Sequence, residues 1–231
     1  MMILAVFLIA GFVKGVIGLG LPTVAMGLLT VLMPPAEAAA LLILPSLVTN
    51  LVQMRPFGEA GRIAWRFRGL FLGVVAGTLL GLWLWGGLGG RHAAVGLGAL
   101  LVLYAALGLS GWKPPLPERS GPLVGVATGA VTAATGVFVL PAVPWLQARG
   151  LGRDALVRAL GVSFTVSTLA LAGLVLPQLA GLGWMAVLTV APALLGQRLG
   201  EAVRGRLSES GFRRCFLLGL LALGLWLLLR P

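Results

Sequence analysis

The stretch that decides the fold is "GFVKGVIGLGLPTVAMG", residues 11–27, an apolar run that contains five glycines, one lysine and one proline. Glycine allows backbone conformations that other residues avoid. Proline has no N–H and suits the first turn of a helix, where that donor would be unpaired. The stretch therefore predicts a helix that breaks near Gly18 and begins again at Pro22.

The rest of the chain is apolar as well. Of its 231 residues, 59% are hydrophobic and only 10% are charged, and the mean hydropathy is +1.05. Such a chain predicts a membrane protein, and lipid-embedded segments of this length are expected to be helical because each must satisfy its own backbone. Eight apolar blocks follow one another, at 2–33, 36–54, 69–88, 92–110, 121–148, 153–176, 182–203 and 212–229.

The two halves of the chain resemble each other. The opening "GFVKGVIGLG" aligns with "GVATGAVTAATG", which pairs Gly11 with Gly125 and Gly15 with Gly129. An internal duplication of this kind indicates two structural repeats within one integral membrane domain. We place the first repeat at 1–110, a cytoplasmic linker at 111–121 and the second repeat at 122–231.

Glycines four residues apart also recur in the third block of each half. They are Gly73, Gly77 and Gly81 in one half and Gly196 and Gly200 in the other. Small residues at this spacing let helices pack closely, so we interpret them as packing positions.

The basic residues set the predicted topology. Eight simple spans would distribute them almost evenly, against the positive-inside rule. If blocks one and five each enter and leave on one side, sixteen of the seventeen basic residues, all but Lys14, divide fourteen to two. The two are Arg91 and Arg230; the fourteen are Arg55, Arg62, Arg66, Arg68, Lys113, Arg119, Arg149, Arg153, Arg158, Arg198, Arg204, Arg206, Arg213 and Arg214.

This topology predicts an all-α polytopic protein of two inverted repeats. Each repeat would hold a broken, re-entrant hairpin followed by three transmembrane helices. Block one fits a hairpin, because a single helix over 2–33 would be about 48 Å long, well beyond a bilayer core of about 30 Å. The basic connections would face the cytoplasm of a bacterial inner membrane, with both termini in the periplasm. The net charge of +11 thus reads as a topology signal and not as a nucleic-acid surface.

The breaks predict a binding site. Irregular backbone deep in a membrane is tolerated only where it is buried in protein or lines a cavity. A half-helix that begins at "GLGLP", residues 18–22, would present N–H groups to an anion. The second break would add the hydroxyls of Thr128, Thr132 and Thr135, and the two tips would meet near the midplane.

Lys14 lies about one turn before the first break. A cation at the bilayer centre costs about 2.5–3.5 kcal/mol on insertion scales, so it demands a counter-ion or a wet cavity. The six acidic residues lie in connections or near helix ends, which leaves a diffusible anion as the expected partner. The alternative is that Lys14 extends to a membrane interface.

The second block adds polar groups on one helical face. In "LPSLVTNLVQ", residues 44–53, Ser46, Thr49, Asn50 and Gln53 recur at helical spacing. We expect Thr49 and Asn50 to donate to an oxyanion. Hydrogen bonding between helices is the structural alternative for these side chains.

Other classes of site are disfavoured. The chain has one histidine and one cysteine, and no pair of carboxylates lies within an apolar block. Neither a metal site nor a general acid and base pair can be assembled from these residues. We therefore expect no enzyme activity, no metal and no cofactor.

With "GFVKGVIGLGLPTVAMGLL", "GVATGAVTAATGVFVLPAV", "PSLVTNLVQ" and "GVVAGTLLG", the chain resembles the TauE/SafE family over nearly its whole length. The resemblance implies a carrier of about eight helices that moves sulfite, organosulfonates or related sulfur oxyanions. The first motif has fewer glycines than is usual in the family, with an early proline, and threonine and alanine replace most glycines of the second. These departures leave the identity of the ion open.

The sequence thus predicts a membrane transporter for a small sulfur oxyanion such as sulfite, an organosulfonate or sulfate. Its partners would be that anion and the lipid bilayer, and homo-oligomerisation stays open. The alternatives are a membrane subunit that assembles but does not transport and, less favoured, a membrane-embedded enzyme. The expected site residues are Lys14, Gly18, Gly20, Pro22, Thr23, Thr49, Asn50, Thr132 and Thr135.

Overall fold

The structure is a computed structural model that describes residues 1–86, 88, 91–111, 116–206 and 208–229. Over these ranges the secondary structure is helical, and no strand is present. Lys113 and Arg230, which count in the predicted charge asymmetry, lie outside the described residues, as does part of the predicted linker 111–121.

Eleven α-helices are defined in the described ranges, with 3₁₀ turns at Glu118–Ser120 and Arg204–Arg206. The helices are α1 Met2–Ile17, α2 Leu21–Leu29, α3 Pro35–Gln53, α4 Phe57–Arg66, α5 Arg68–Trp85, α6 Arg91–Ser110, α7 Gly121–Thr135, α8 Ala142–Gln147, α9 Arg153–Leu174, α10 Leu176–Val203 and α11 Glu209–Leu229.

Six segments in the described ranges are long and apolar enough to cross a membrane. They are Pro35–Gln53, Arg68–Trp85, Ala93–Ser110, Arg153–Leu174, Ala180–Arg206 and Ser210–Leu229. Three come from each half of the chain. The predictions of an all-α polytopic membrane protein and of three long spans per half are confirmed.

The first predicted break is present. α1 ends at Ile17, and Gly18 and Gly20 have φ angles of 80° and 115°, in the region that favours glycine. α2 begins at Leu21, with Pro22 in its first turn. The glycines and the proline therefore act as the sequence predicts.

The second predicted break is present as well. α7 ends at Thr135, Gly136 has a φ of 71°, and the chain runs without helix until α8 begins at Ala142. The indole Nε1 of Trp145 in α8 donates to Ser120 Oγ at the start of α7, at 3.0 Å. α8 therefore returns to the end of the hairpin at which α7 began.

Close helix packing depends on the glycines of the first and third blocks. On α1 and α10, a β-carbon at Gly11, Gly15, Gly196 or Gly200 would lie less than 3 Å from a carbonyl oxygen of the facing helix. No side chain fits there, because real β-carbons essentially never approach other atoms so closely. α1 and α10 are thus in backbone contact.

The same arrangement recurs between α5 and α7. A β-carbon at Gly73, Gly77, Gly125 or Gly129 would again lie less than 3 Å from a facing carbonyl oxygen. The interpretation of the third-block glycines as packing positions agrees with these contacts.

The two interfaces also share one register. Gly11 faces the carbonyl of Ala193, and its aligned residue Gly125 faces the carbonyl of Leu70. Leu70 precedes Gly73 by three residues, as Ala193 precedes Gly196. This exchange of equivalent partners supports a duplicated unit, while the inverted orientation of the halves across a bilayer stays a prediction.

Candidate functional site

Lys14 lies on α1, and its side chain is only 2% exposed. Its Nζ donates to Thr49 Oγ1 at 3.0 Å and also to Asn50 Oδ1, both on α3. The ammonium group thus ends inside the protein against two neutral acceptors. This placement does not support the alternative in which Lys14 extends to a membrane interface.

An ammonium group has three N–H donors, and the bonds to α3 use two of them. Thr49 Oγ1 can accept from Lys14 because its own hydrogen goes to the Pro45 carbonyl, at 2.7 Å. Among the described residues, the third donor of Lys14 has no hydrogen-bonded partner. The site therefore retains one N–H for a further acceptor.

A chain of hydrogen bonds leads from Lys14 into the second half of the protein. Asn50 Nδ2 donates to Ser46 Oγ at 3.4 Å, and Ser46 Oγ lies 3.1 Å from Thr168 Oγ1 on α9. Thr168 uses its hydrogen on the Phe164 carbonyl, at 2.6 Å, so Ser46 is the donor in the pair. Every donor in this chain of hydrogen bonds thus points away from Lys14. The bond between Ser46 and Thr168 also joins the polar face of α3 to α9.

Lys14 borders a polar cavity of about 190 Å³, several times the ~30 Å³ that one water molecule takes up in the liquid. Four cationic and two acidic side chains line it, a formal sum of +2 if all are charged. The lining residues are Lys14, Gly18, Val52, Gln53, Arg55, Asp154, Val157, Arg158, Gln197, Glu201 and Arg204.

A carboxylate lies closer to Lys14 than the sequence predicts. The sequence places every carboxylate away from it, yet Glu201, near the end of α10, lines the same cavity. Glu201 Oε1 accepts from Gln197 Nε2 at 2.9 Å, and Oε2 lies 3.7 Å from Nη1 of Arg198. The packing of α10 against α1 brings in a carboxylate that lies far away in sequence.

The first break contributes carbonyl groups to this region. Gln53 Nε2 donates to the Gly18 carbonyl at 2.6 Å and to the Val157 carbonyl at 3.0 Å. Arg204 Nε donates to the Val16 carbonyl at 2.9 Å. These side chains satisfy carbonyls at the end of α1, which a helix terminus otherwise leaves unpaired.

The start of α2 has different neighbours. A β-carbon at Gly20 would lie 2.9 Å from Val13 and 3.4 Å from the Phe216 ring. Pro22 and Thr23 are buried, and Thr23 Oγ1 has no hydrogen-bond partner among the described residues. Of the tip residues predicted to bind an anion, Gly18 alone is among the described residues that line the Lys14 cavity. The first residues of α2, whose amides were expected to bind the anion, do not line it.

The second break is not joined to Lys14 by any hydrogen bond of the described residues. Thr132 Oγ1 donates to the Thr128 carbonyl at 2.8 Å, and Thr135 Oγ1 to the Val131 carbonyl at 2.7 Å. Thr135 borders a different, apolar cavity. The structure therefore brings Lys14, Gly18, Thr49 and Asn50 together, but not Thr132 or Thr135.

Several residues that line the cavity were not among the predicted site residues. Gln53 carried a signal, because it continues the helical face of Ser46, Thr49 and Asn50. Glu201 and Arg204 carried none, since each reads locally as part of a charged connection. The described residues contain no group of three or more His, Cys, Asp or Glu that could hold a metal ion.

No curated protein and no solved structure matches the chain. The model of one family, described as "Sulfite exporter TauE/SafE", matches residues 3–227, almost the full length. The chain, a multi-pass membrane protein, therefore belongs to the TauE/SafE sulfite exporter family.

Proposed function

We propose that this protein moves a small sulfur oxyanion, such as sulfite, across the bacterial inner membrane, and that the anion binds in the cavity beside Lys14. The TauE/SafE family is a family of sulfite exporters, and the six long apolar helices suit a transporter. Organosulfonates and sulfate present similar oxygen atoms and belong to the same proposed class.

The observation that carries this proposal is the environment of Lys14. Its ammonium group is buried in a membrane protein and bound to the neutral oxygens of Thr49 and Asn50. Neutral acceptors fix its position but do not cancel its charge, and Glu201, which lines the same cavity, forms no direct ion pair with it, so the buried cation stays expensive in a membrane. An oxyanion in the cavity would supply both a negative charge and an acceptor for the third N–H.

The charges around the cavity support the same class of ligand. Arg158 already pairs with Glu59, at 2.5 Å, so part of its charge is compensated. Arg55 and Arg204 add guanidinium groups, whose planar donors match oxyanion geometry. Asp154 and Glu201 add negative charge to the lining of the same cavity. Since carboxylates repel an anion, it would bind closer to the cationic side chains than to these two.

In the proposed site Lys14 binds the anion, with Gly18 at the wall of the cavity. Thr49 and Asn50, which the sequence predicts to donate to the anion, instead accept from Lys14 and hold its ammonium group in place. The amides of Gly20 and Thr23 beside Pro22, and the hydroxyls of Thr132 and Thr135, are not assigned to the site in this conformation. Their present neighbours are apolar groups or their own helix, so they would reach an anion only after a rearrangement.

Alternating access would require the two repeats to move against each other. Contacts beside the cavity now join them, since Gln53 of the first half binds the Val157 carbonyl and Arg204 of the second half binds the Val16 carbonyl. Opening the cavity further toward the arginine-rich side, which we assign to the cytoplasm, would break these bonds. The same assignment of sides places both termini in the periplasm.

The proposal is tested with purified protein in liposomes and labelled sulfite. Wild type should transport the label, and Lys14→Met should lose at least tenfold in sulfite affinity because the buried charge is gone. Arg119→Gln, which removes an exposed cation outside the cavity, is the matched control. Lys14→Arg, which keeps the positive charge, tests whether that charge alone is sufficient for sulfite affinity.

Two results would contradict the proposal. Unchanged sulfite binding in a folded Lys14→Met variant would remove Lys14 from the site. Tight liposomes with wild-type protein, which neither take up nor release sulfite, sulfate or an alkyl sulfonate, would instead support an assembly subunit that does not transport.

A further inference from the structure

The helix α4, Phe57–Arg66, joins the spanning helices α3 and α5. Ten residues of helix are about 15 Å long, half of a bilayer core of about 30 Å. α4 therefore does not cross the membrane. It lies where α3 ends and α5 begins, on the side predicted to hold most arginines.

One face of α4 is held against the protein. Ala60 is buried, Ile63 and Ala64 are partly buried, and Glu59 pairs with Arg158 of α9 at 2.5 Å. These contacts fix the orientation of the helix. They leave the rest of its circumference for the surroundings.

An aromatic pair occupies one exposed flank. Phe57 and Trp65 are 54% and 71% exposed, and eight residues of helix separate them by only about 80° around the axis. Gly61 lies between them and adds no side chain. Large apolar side chains exposed beside a membrane surface, Trp above all, are typical of the boundary between headgroups and acyl chains.

Arginines border this aromatic flank. Arg62 is exposed, and no hydrogen bond or ion pair in the described part of the chain engages it. The Arg68 guanidinium lies 4.2 Å from the centre of the Trp65 ring. Arg66 differs from both, because Glu118 binds it through two hydrogen bonds.

We propose that α4 is an interfacial helix that binds anionic phospholipids. Phe57 and Trp65 would enter the boundary of the acyl chains, while Arg62 and Arg68 would contact lipid phosphates. An apolar flank next to a basic one is the pattern of helices that lie in a membrane surface and select anionic lipid. The inference does not depend on which anion the protein transports.

The test uses the full-length protein in vesicles of phosphatidylglycerol and phosphatidylcholine in equal amounts. Bromine, which quenches tryptophan fluorescence, is placed on one lipid or on the other. The difference between wild type and Trp65→Phe isolates the signal of Trp65. Brominated phosphatidylglycerol should quench this signal more strongly than brominated phosphatidylcholine.

Arg62→Gln should weaken the preference for phosphatidylglycerol by about fivefold, the factor that corresponds to one arginine at an anionic surface. Arg119→Gln, a cation on the same predicted side without an aromatic flank, should leave it unchanged. Quenching of the other tryptophans, which include exposed Trp83 and Trp184, reports whether each variant is still embedded.

Three outcomes would overturn the proposal. If neither brominated lipid quenches the Trp65 signal, α4 lies in water. If both quench it equally in wild type, α4 touches the bilayer without selecting anionic lipid. If Arg62→Gln and Arg119→Gln weaken the preference equally, it reflects overall charge and not a site on α4.

Discussion

The two helix breaks have the same backbone conformation at the end of the helix but different neighbouring side chains. Each ends a helix at a glycine with positive φ, Gly18 in the first and Gly136 in the second. Gly18 borders a polar cavity with Lys14, whereas a β-carbon at Gly136 would lie 2.6 Å from the Met26 side chain. The duplication thus repeats the backbone break, but the charged chemistry is found at one break.

The comparison shows how the same fold element can take two roles. Where Lys14 stands in the first hairpin, the aligned position of the second is Thr128, whose hydroxyl donates to the Val124 carbonyl of its own helix. A threonine satisfied in this way needs no ligand. A buried ammonium group does, which is why we place the anion at the first break.

The largest expected effect concerns what the two hairpins have in common. Gly15→Ala and Gly129→Ala should each destabilise the protein by several kcal/mol, because a β-carbon there meets a facing carbonyl oxygen. Thermal unfolding in detergent measures both. Gly219→Ala, where nothing lies within 4 Å, is the control and should not destabilise. A mild effect at one glycine and a severe effect at the other would show that the two interfaces are not equivalent.

A second variant tests the charge at the first break. Asn50→Asp places a carboxylate, and with it a negative charge, in direct contact with the Lys14 ammonium. We expect sulfite affinity to fall at least tenfold while the melting temperature is kept or raised. Titration calorimetry and thermal unfolding measure the two effects. Thr168→Val, which changes the far end of the same hydrogen-bond chain, should alter affinity much less. Normal affinity in Asn50→Asp would mean that the anion binds elsewhere.

The second break should tolerate a change that the first does not. Thr132→Val removes a hydroxyl whose bond goes to its own helix, and we expect sulfite transport within about twofold of wild type. The net value of such a bond is about 1 kcal/mol, mostly in stability. Gln53→Leu, at the first break, leaves the Gly18 and Val157 carbonyls without this donor and should alter transport more. Loss of transport in folded Thr132→Val would place the second tip in the pathway.

The smallest effect lies outside both breaks, where Arg66 binds Glu118 just before the second hairpin. The hydrogen bond from Arg66 lowers the pKa of the Glu118 carboxyl and raises the pKa of Arg66 itself. A lowered carboxyl pKa stabilises the fold above the ordinary carboxyl range, and this contribution is lost as the pH falls through the lowered value. Because both side chains are about half exposed, we expect at most about 1 kcal/mol.

Thermal unfolding of wild type and Glu118→Gln at neutral and acidic pH measures this contribution. The two proteins should differ slightly near pH 7 and converge in acid. A difference that grows in acid would contradict the assigned direction of the Glu118 pKa. Arg66→Gln should behave as Glu118→Gln does.

Much of the fold follows from local sequence. The breaks at Gly18 and Gly136 are predictable because positive φ at a helix end favours glycine over other residues. The polar face of α3 is predictable from its spacing, and Lys14 is conspicuous as the one basic residue that does not sit near a connection. The presence of Glu201 in the cavity beside Lys14 was not predictable, since Glu201 lies 187 residues away along the chain, from 14 to 201.

The sequence by itself determined the membrane environment of this protein, its helices, the positions of its two breaks and its family. The length of an apolar segment and the backbone preferences of glycine and proline depend on residues that are close together in the chain. Only the tertiary structure decided which charged side chains lie beside Lys14 at the first break. Backbone contact between α1 and α10, possible only at glycine, brings Glu201 and Arg204 to Lys14. The second hairpin packs against Met26 and an apolar cavity, so its threonines turn to their own helix. Contacts over such distances depend on how whole helices pack, which no local pattern records.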